Sequence, residues 1–278
     1  ISTPEGYDGF YEYFIHAQRA EMWAAFNSPS WENHHAFPEG EKDADLVEAK
    51  STMTKEVFDQ EFAAEFTALS GRVYSDFSRR THVGNHPYNS MLPVYLSLDF
   101  GYRMPAAVFF QTANLGNKGE EHIFIIDEIL HEQNMTITDL CKAVQAKNYR
   151  IARVYGDPAG YQMQSSVGMG EADIFRQITG MPVISRRDRY SRNVQSGISH
   201  VRNYMMSADG TIRFHIHNKC KGLVEDIESY RYPEHKEGSN LKNEPLKDGY
   251  HDHGCDALRY GICGRFPIRK QQYKVSSR

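Results

Sequence analysis

The sequence predicts an α/β protein: a mixed β-sheet flanked by helices and preceded by a mostly helical segment. Three observations lead there. Between residues 94 and 129, three apolar runs follow one another across short turns, as in antiparallel hairpins. From residue 138 on, segments of helical and strand periodicity alternate. Before residue 71 the recognisable apolar periodicity is helical.

The elements follow in order. Phe10, Phe14 and Ala17 recur at helical spacing, with Tyr11 and Ile15 on the same broad face. Residues 36–50 read as an acidic, turn-rich stretch, and 54–69 as a second helix with Val57, Phe58, Phe62 and Phe66 as its stripe. Residues 71–93 carry Gly, Pro, Asn and Ser with little periodicity. The domain boundary is placed there, giving units 1–78 and 79–278. Strands are predicted at 94–99, 106–111, 122–129, 151–155, 182–185 and 212–217. Helices are predicted at 138–146, 172–179, along Val194, Ile198, Val201 and Met205, at 219–230, and from about 253 to 263. Two hairpins followed by a crossover lay the fourth strand parallel to the first. That is the ribonuclease H-like layout, with strand order 3-2-1-4-5.

This layout gives the acids a geometry. Asp99 ends the first strand and Asp157 the fourth, and parallel neighbours lie ~4.8 Å apart. Asp256, on the last helix, is the third candidate, with Cys255, Leu258 and Ile262 facing the sheet. Clustered carboxylates repel and raise one another's pKa, which a hard divalent cation relieves. Two such ions can activate water and stabilise the leaving oxygen of a phosphodiester. Asp127 and Glu128 also end a strand, but two strands away, and read as edge or turn acids. Asp252 reads as the N-cap of the last helix. Gly101, Gly156 and Gly160 read as turn residues, or as openings that let phosphate approach the acids.

The chain of 278 residues is 40% hydrophobic and 24% charged, which is globular usage and excludes disorder. Its net charge of −4 argues against a passive nucleic-acid coat but not against a metal-dependent enzyme with local basic patches. Arg186, Arg187, Arg189 and Arg192 form one such patch. The acid-free tail from Arg265, with Lys270, forms another. Cys141, Cys220, Cys255 and Cys263 have no paired spacing and read as free thiols. No apolar run approaches the ~18 residues of a membrane span. The chain opens Ile1-Ser2-Thr3-Pro4 without Met or a leader, which reads as a cut from a longer protein.

Four segments in order resemble a known family. They are Ser2-Thr3-Pro4-Glu5-Gly6 with Phe10-Tyr11, Tyr95–Gly101, Tyr155–Ala159, and His253 with Asp256 through Tyr260. Together they resemble the C-terminal part of the large terminase subunit of tailed bacteriophages, a DNA-packaging motor. The resemblance implies the end of an ATPase domain plus linker at 1–78 and a ribonuclease H-like nuclease at 79–278. It implies an endonuclease that cuts concatemeric viral DNA, using Mg²⁺ or Mn²⁺ at Asp99, Asp157 and Asp256, with His253 and Asp252 in support. Double-stranded DNA, the portal protein and the small terminase subunit are the implied partners, met in the host cytoplasm at the procapsid. Apart from the resemblance, the charge run and the basic tail make Arg186, Arg187, Arg189 and Lys270 candidate DNA contacts, with a solvated face as the alternative for the arginines. No G-x-x-x-x-G-K-S/T segment occurs, so these residues are not expected to hydrolyse ATP. Two other readings stay open. One is a non-catalytic docking module of the same fold. The other is a zinc site drawn from His215, His217, His251, His253 and Cys255, although their spacing completes no usual ligand pattern.

Overall fold

A computed structural model describes residues 9–66, 71–101, 103–115, 120–162, 168–186, 188, 193–233 and 244–268. Among the described residues, four α-helices precede the main sheet: α1 (Gly9–Arg19), α2 (Ala44–Thr52), α3 (Lys55–Glu61) and α4 (Arg79–His82). The strands are β1 (Val83–Gly84), β2 (Val94–Asp99), β3 (Ala106–Leu115), β4 (Glu120–Ile129), β5 (Ile151–Gly156), β6 (Val183–Ile184) and β7 (Phe214–His217). Helices α5 (Ile137–Ala146), α6 (Glu171–Thr179), α7 (Val194–Met205), α8 (Lys221–Ser229) and α9 (His251–Arg265) complete the described elements.

The sheet order is β1-β7-β4-β3-β2-β5-β6. Its centre, β4-β3-β2-β5-β6, is the expected 3-2-1-4-5 arrangement, with β2–β3 and β3–β4 antiparallel and β2–β5 parallel. The fold is therefore ribonuclease H-like. The strand at Phe214–His217 extends it by pairing parallel with β4, and β1 pairs parallel with that strand. The two faces bury different sets of side chains. One packs Val108, Phe110, Ile123, Ile125 and Phe214 against residues of α7, α8 and α9. The other packs Leu96, Leu98, Phe109 and Val154 with Leu140 and Val144 of α5 and Phe175 of α6. The central strands, apolar on both faces, read as near-continuous hydrophobic runs for that reason.

Several expectations need correction. The stretch 36–50 is not all turn, because Asp43 caps α2 by accepting from the Asp45 N–H. The second helix is shorter than 54–69: Thr54 caps it, it ends at Glu61, and residues 67–70 lie outside the described set. The stretch 71–93 is not only a connection. Val73, Tyr74 and Phe77, just ahead of the expected division at 78/79, are fully or almost fully buried in the core cluster that includes Cys255, Leu258 and Ile262 of α9. Arg202 of α7 also crosses that division, donating to Asp76 at 2.6 Å, Ser75 at 2.7 Å and Glu56 of α3 at 2.5 Å. Asp252 does not cap the last helix. That helix begins one residue earlier, and Asp252 lies buried in its first turn.

Helix α9 lies almost wholly inside the protein. Glycines set how closely it approaches the sheet. A Cβ on Gly261 would meet Ser97 Cβ at 2.7 Å and Ser97 Oγ at 2.8 Å, and one on Gly264 would strike the Tyr155 ring. Ser97 Oγ donates to the Ala257 carbonyl in the same seam. Gly261→Ala should therefore destabilise the fold by ~1–3 kcal/mol, the usual cost of overpacking. The check is the urea midpoint, and an unchanged value would mean that the helix can draw back freely.

Candidate active site

The register of β2 on β5 places the acids. Leu98 pairs with Gly156, so Asp99 and Asp157 follow side by side where the two strands end. Asp256 of α9 reaches the same place, and all three border one cavity of about 320 Å³. The cavity is also bordered by Asp252, His253, Glu171 and Lys247. Asp157 has a structural duty as well: its Oδ1 accepts from the Ala159 N–H at 2.8 Å and caps the 3-10 turn Pro158–Tyr161.

Asp99 and Asp256, the two buried metal candidates, have imidazole or cationic support. Asp99 Oδ2 meets His253 Nδ1 at 2.7 Å. Burial pushes the Asp99 carboxyl up, Asp256 and Asp157 add to the rise, and the His253 bond opposes it. The same bond holds the His253 imidazole above its ordinary value. Gly101 makes this possible, since a Cβ there would lie 2.5 Å from His253 Cε1. Asp256 differs. Burial alone would raise it, but Arg259 and Lys247 outweigh burial and hold it below the ordinary carboxylate value. Arg259 Nη2 donates to Asp256 Oδ1 at 2.8 Å, and Lys247 Nζ binds Oδ2. Arg259 is itself buried under Gly197 of α7, where a Cβ would meet its Cδ at 2.8 Å.

Sequence reasoning missed Lys247, Arg259 and Glu171. Arg259 had a signal: it stands three residues after Asp256 on a helix, the spacing of a same-face pair. Lys247 had only its position shortly before the third acid segment. Of the two readings of the glycines, the phosphate opening does not hold for Gly156 and Gly160. A Cβ on Gly160 would strike the Phe100 ring, and one on Gly156 would meet Val183 and Phe100, so these openings are filled by protein.

The remaining candidates lie elsewhere. Asp127 is held by Lys147 at 2.9 Å, Tyr149 at 2.8 Å and Lys219 at 3.0 Å. Glu128 accepts from the N–H groups of Gly222 and Leu223 at the start of α8. Both are internal supports of a central strand, not edge acids. Arg186 donates to the Gly264 carbonyl at 3.3 Å and borders a second cavity of about 530 Å³, which shares Asp157, Ala159 and Tyr260 with the first. Arg187, Arg189, Arg192, Lys270 and Ser2–Gly6 lie outside the described residues. The zinc candidates do not come together. His215 stacks on His122 and Phe124, His251 bonds Asp248, and Cys255 is buried in the core. Burial and neighbouring histidines push His215 down to about 4. All four cysteines are free.

Sequence and fold comparisons show what the chain is similar to. The chain is 22% identical over 273 residues to the large terminase subunit of Escherichia phage T5, covering 94% of this chain and 57% of that protein. The chain is a homologue of large terminase subunits. No protein-family model matches it. The large terminase of a thermophilic bacteriophage has the same fold, with a TM-score of 0.64 at 17% identity over 94% of this chain and 60% of that one. The nuclease domain of the phage SPP1 large terminase, solved with bound Mn, overlaps 70% of this chain at 14% identity and a TM-score of 0.48. This terminase homologue thus spans little more than half the length of the full-length relatives it matches. Among its described residues, no helix is long and apolar enough to cross a membrane.

A further acid lies just behind the cavity. Asp226 of α8 is fully buried, with Oδ1 2.7 Å from His131 Nε2 and Oδ2 without a hydrogen-bond partner among the described residues. Only a glycine fits against it, because a Cβ on Gly254 would collide with Oδ2. Burial first, then the charges of Glu128, Glu225, Asp248 and Asp252, push its carboxyl up to about 9. The folded state therefore holds a proton that the unfolded chain releases near pH ~4, and Asp226 costs stability as pH rises from ~4 towards 9. Asp226→Asn, which keeps the neutral shape, should gain stability relative to wild type between pH 5 and pH 8. Chemical denaturation at both pH values checks this, and parallel changes in the two proteins would refute it.

Proposed function

We propose that this chain carries the metal-dependent DNA endonuclease of a packaging terminase. The observation that supports it most is the placement of Asp99, Asp157 and Asp256 on one cavity, from two adjacent parallel strand ends and a helix packed across them. The donors are carboxylate oxygens, the hard ligands that suit Mg²⁺ or Mn²⁺. A protein ammonium already pairs with one of them, so the cavity accepts positive charge. In this reading Asp99, Asp157 and Asp256 hold the ions. When bound, such ions supply an activated water and stabilise the leaving oxygen of a phosphodiester. The protein's own contribution is positioning. His253 orients Asp99, Arg259 fixes one oxygen of Asp256, and Asp252 adds negative charge beside them.

Arg186 stands at the adjoining cavity, where a DNA backbone leaving Asp157 would pass, so we assign it a phosphate contact. The nuclease unit is the sheet together with the packed segment from Arg72 on. The helical part before it corresponds, by resemblance, to the end of an ATPase domain. Concatemeric viral DNA as substrate, and the portal protein and small terminase subunit as partners, are proposed from the resemblance of the four sequence segments to large terminase subunits. ATP hydrolysis is not assigned to these residues.

The test is plasmid nicking with Mg²⁺ or Mn²⁺. Cleavage should stop in EDTA. Asp99→Asn and Asp256→Asn should each lose at least the roughly 100-fold that removing a supporting partner of a metal ligand can cost. His253→Ala should fall by ~10–100-fold. Wild-type rates in Asp99→Asn would instead favour the non-catalytic docking module.

A further inference from the structure

Lys247 does not belong to the helix or the strands that carry the acids. It lies between Glu244 and Tyr250, ahead of α9, and its side chain is 58% exposed. Yet its ammonium reaches into the cavity, binding Asp256 Oδ2 and standing 3.7 Å from Asp252 Oδ2. The two cations on Asp256 are unlike one another. Arg259 is 4% exposed, locked under Gly197, and occupies Oδ1. Lys247 is half in water, on a flexible four-carbon stem, and occupies the other oxygen. One partner is built in and the other is exchangeable.

The acids are also not yet arranged as a coordination shell. Among the described residues, no three His, Cys, Asp or Glu side chains converge closely enough to hold an ion. Asp99 is engaged by His253 and Asp256 by Lys247. Removing Lys247 without replacement would leave buried like charges facing one another, which is costly.

We propose that Lys247 is a tethered stand-in cation. It neutralises the acid cluster before metal binds, and it must leave Asp256 for a divalent ion to enter. The inference rests on the metal-site reading above. It makes metal loading depend on where the segment around Lys247 lies. A released ammonium at the cavity mouth also has a natural anion to meet there, the phosphodiester of the substrate. Metal entry and substrate docking would then favour one another through one side chain.

The test is Mn²⁺ binding to the 278-residue chain, followed by electron paramagnetic resonance of the free ion, with no DNA present. Lys247→Gln removes the competing charge and should bind Mn²⁺ about tenfold more tightly than wild type, a modest share of a unit-charge interaction at this range. Lys247→Arg keeps the charge and should stay close to wild type. In EDTA, Lys247→Gln should melt lower than wild type, and saturating Mn²⁺ should raise its melting temperature by more. Equal or weaker Mn²⁺ affinity in Lys247→Gln would overturn the proposal. Equal tightening in Lys247→Arg would overturn it too, because charge would not be the cause. Asp99→Asn separates the two levels of the argument. If it binds Mn²⁺ as wild type does, or if wild type binds none, the metal site itself falls and the role of Lys247 with it.

Discussion

Negative charge gathered at one end of a buried sheet is the constraint on which the rest of this structure depends. Asp99, Asp252 and Asp256 are each less than a tenth exposed, and they share a cavity with Asp157 and Glu171. In so little water, like charges raise one another's pKa unless cations or hydrogen bonds answer them. The protein answers from three places: His253 from the first turn of α9, Arg259 one turn after Asp256, and Lys247 from the segment ahead of the helix. The two best-supported acids end up on opposite sides of their ordinary value. Asp99 is raised, first by burial and then by two facing acids, against one imidazole, whereas Asp256, held by two cations, is lowered.

Holding those partners in place is a packing problem, and small residues solve it. Gly261 and Gly264 bring α9 down onto Ser97 and Tyr155, which fixes how far Asp256 stands from the strand ends. Gly197 gives Arg259 room to lie flat beneath α7, and Gly101 gives His253 room beside Asp99. A larger side chain at any of these positions would push on a packed neighbour, and close-packed interiors have little slack. The electrostatic arrangement is thus inherited from steric close approach. This accounts for a fifteen-residue helix that is buried nearly all round rather than along one stripe.

Much of this was legible in the sequence. The strand at 94–99 is apolar because nearly all of it is buried, the strand at 151–156 is buried over its C-terminal half, and an Asp marks the end of each. The central strand order followed from two short hairpins and one crossover. The attachment of β7 to β4, and of β1 to β7, was not legible, because parallel pairing joins segments distant in sequence and leaves no local turn signal. Asp252 looked like a cap because it precedes an apolar-periodic stretch, and its burial beside the cavity depends on tertiary contacts. Gly160 read as a turn residue or as an opening for phosphate, and sequence could not choose, because what fills the space above a glycine is a tertiary contact, here Phe100. Lys247 lies in a segment without periodicity, so nothing local pointed its ammonium at Asp256.

The cluster also limits how many charges it must answer. Asp226 and His131 lie behind α9, within electrostatic reach of Asp252 and Asp248. An ionised Asp226 would add a further negative charge to a region already short of cations, with Oδ2 pressed against Gly254 and no donor to meet it among the described residues. Burial lowers the His131 imidazole, so that ring offers little positive charge in return. Keeping the carboxyl protonated avoids the conflict: the pair shares one hydrogen bond, stays neutral, and still fills the space between α8 and α9. The protein thus treats two neighbouring acids in opposite ways. Where a carboxylate must face the cavity, as with Asp256, it is surrounded by cations. Where a carboxyl only packs, as with Asp226, it is left to hold its proton. Between these two acids the difference lies in the partners within reach: Asp256 has two cations, whereas Asp226 has one imidazole that burial keeps below its ordinary value.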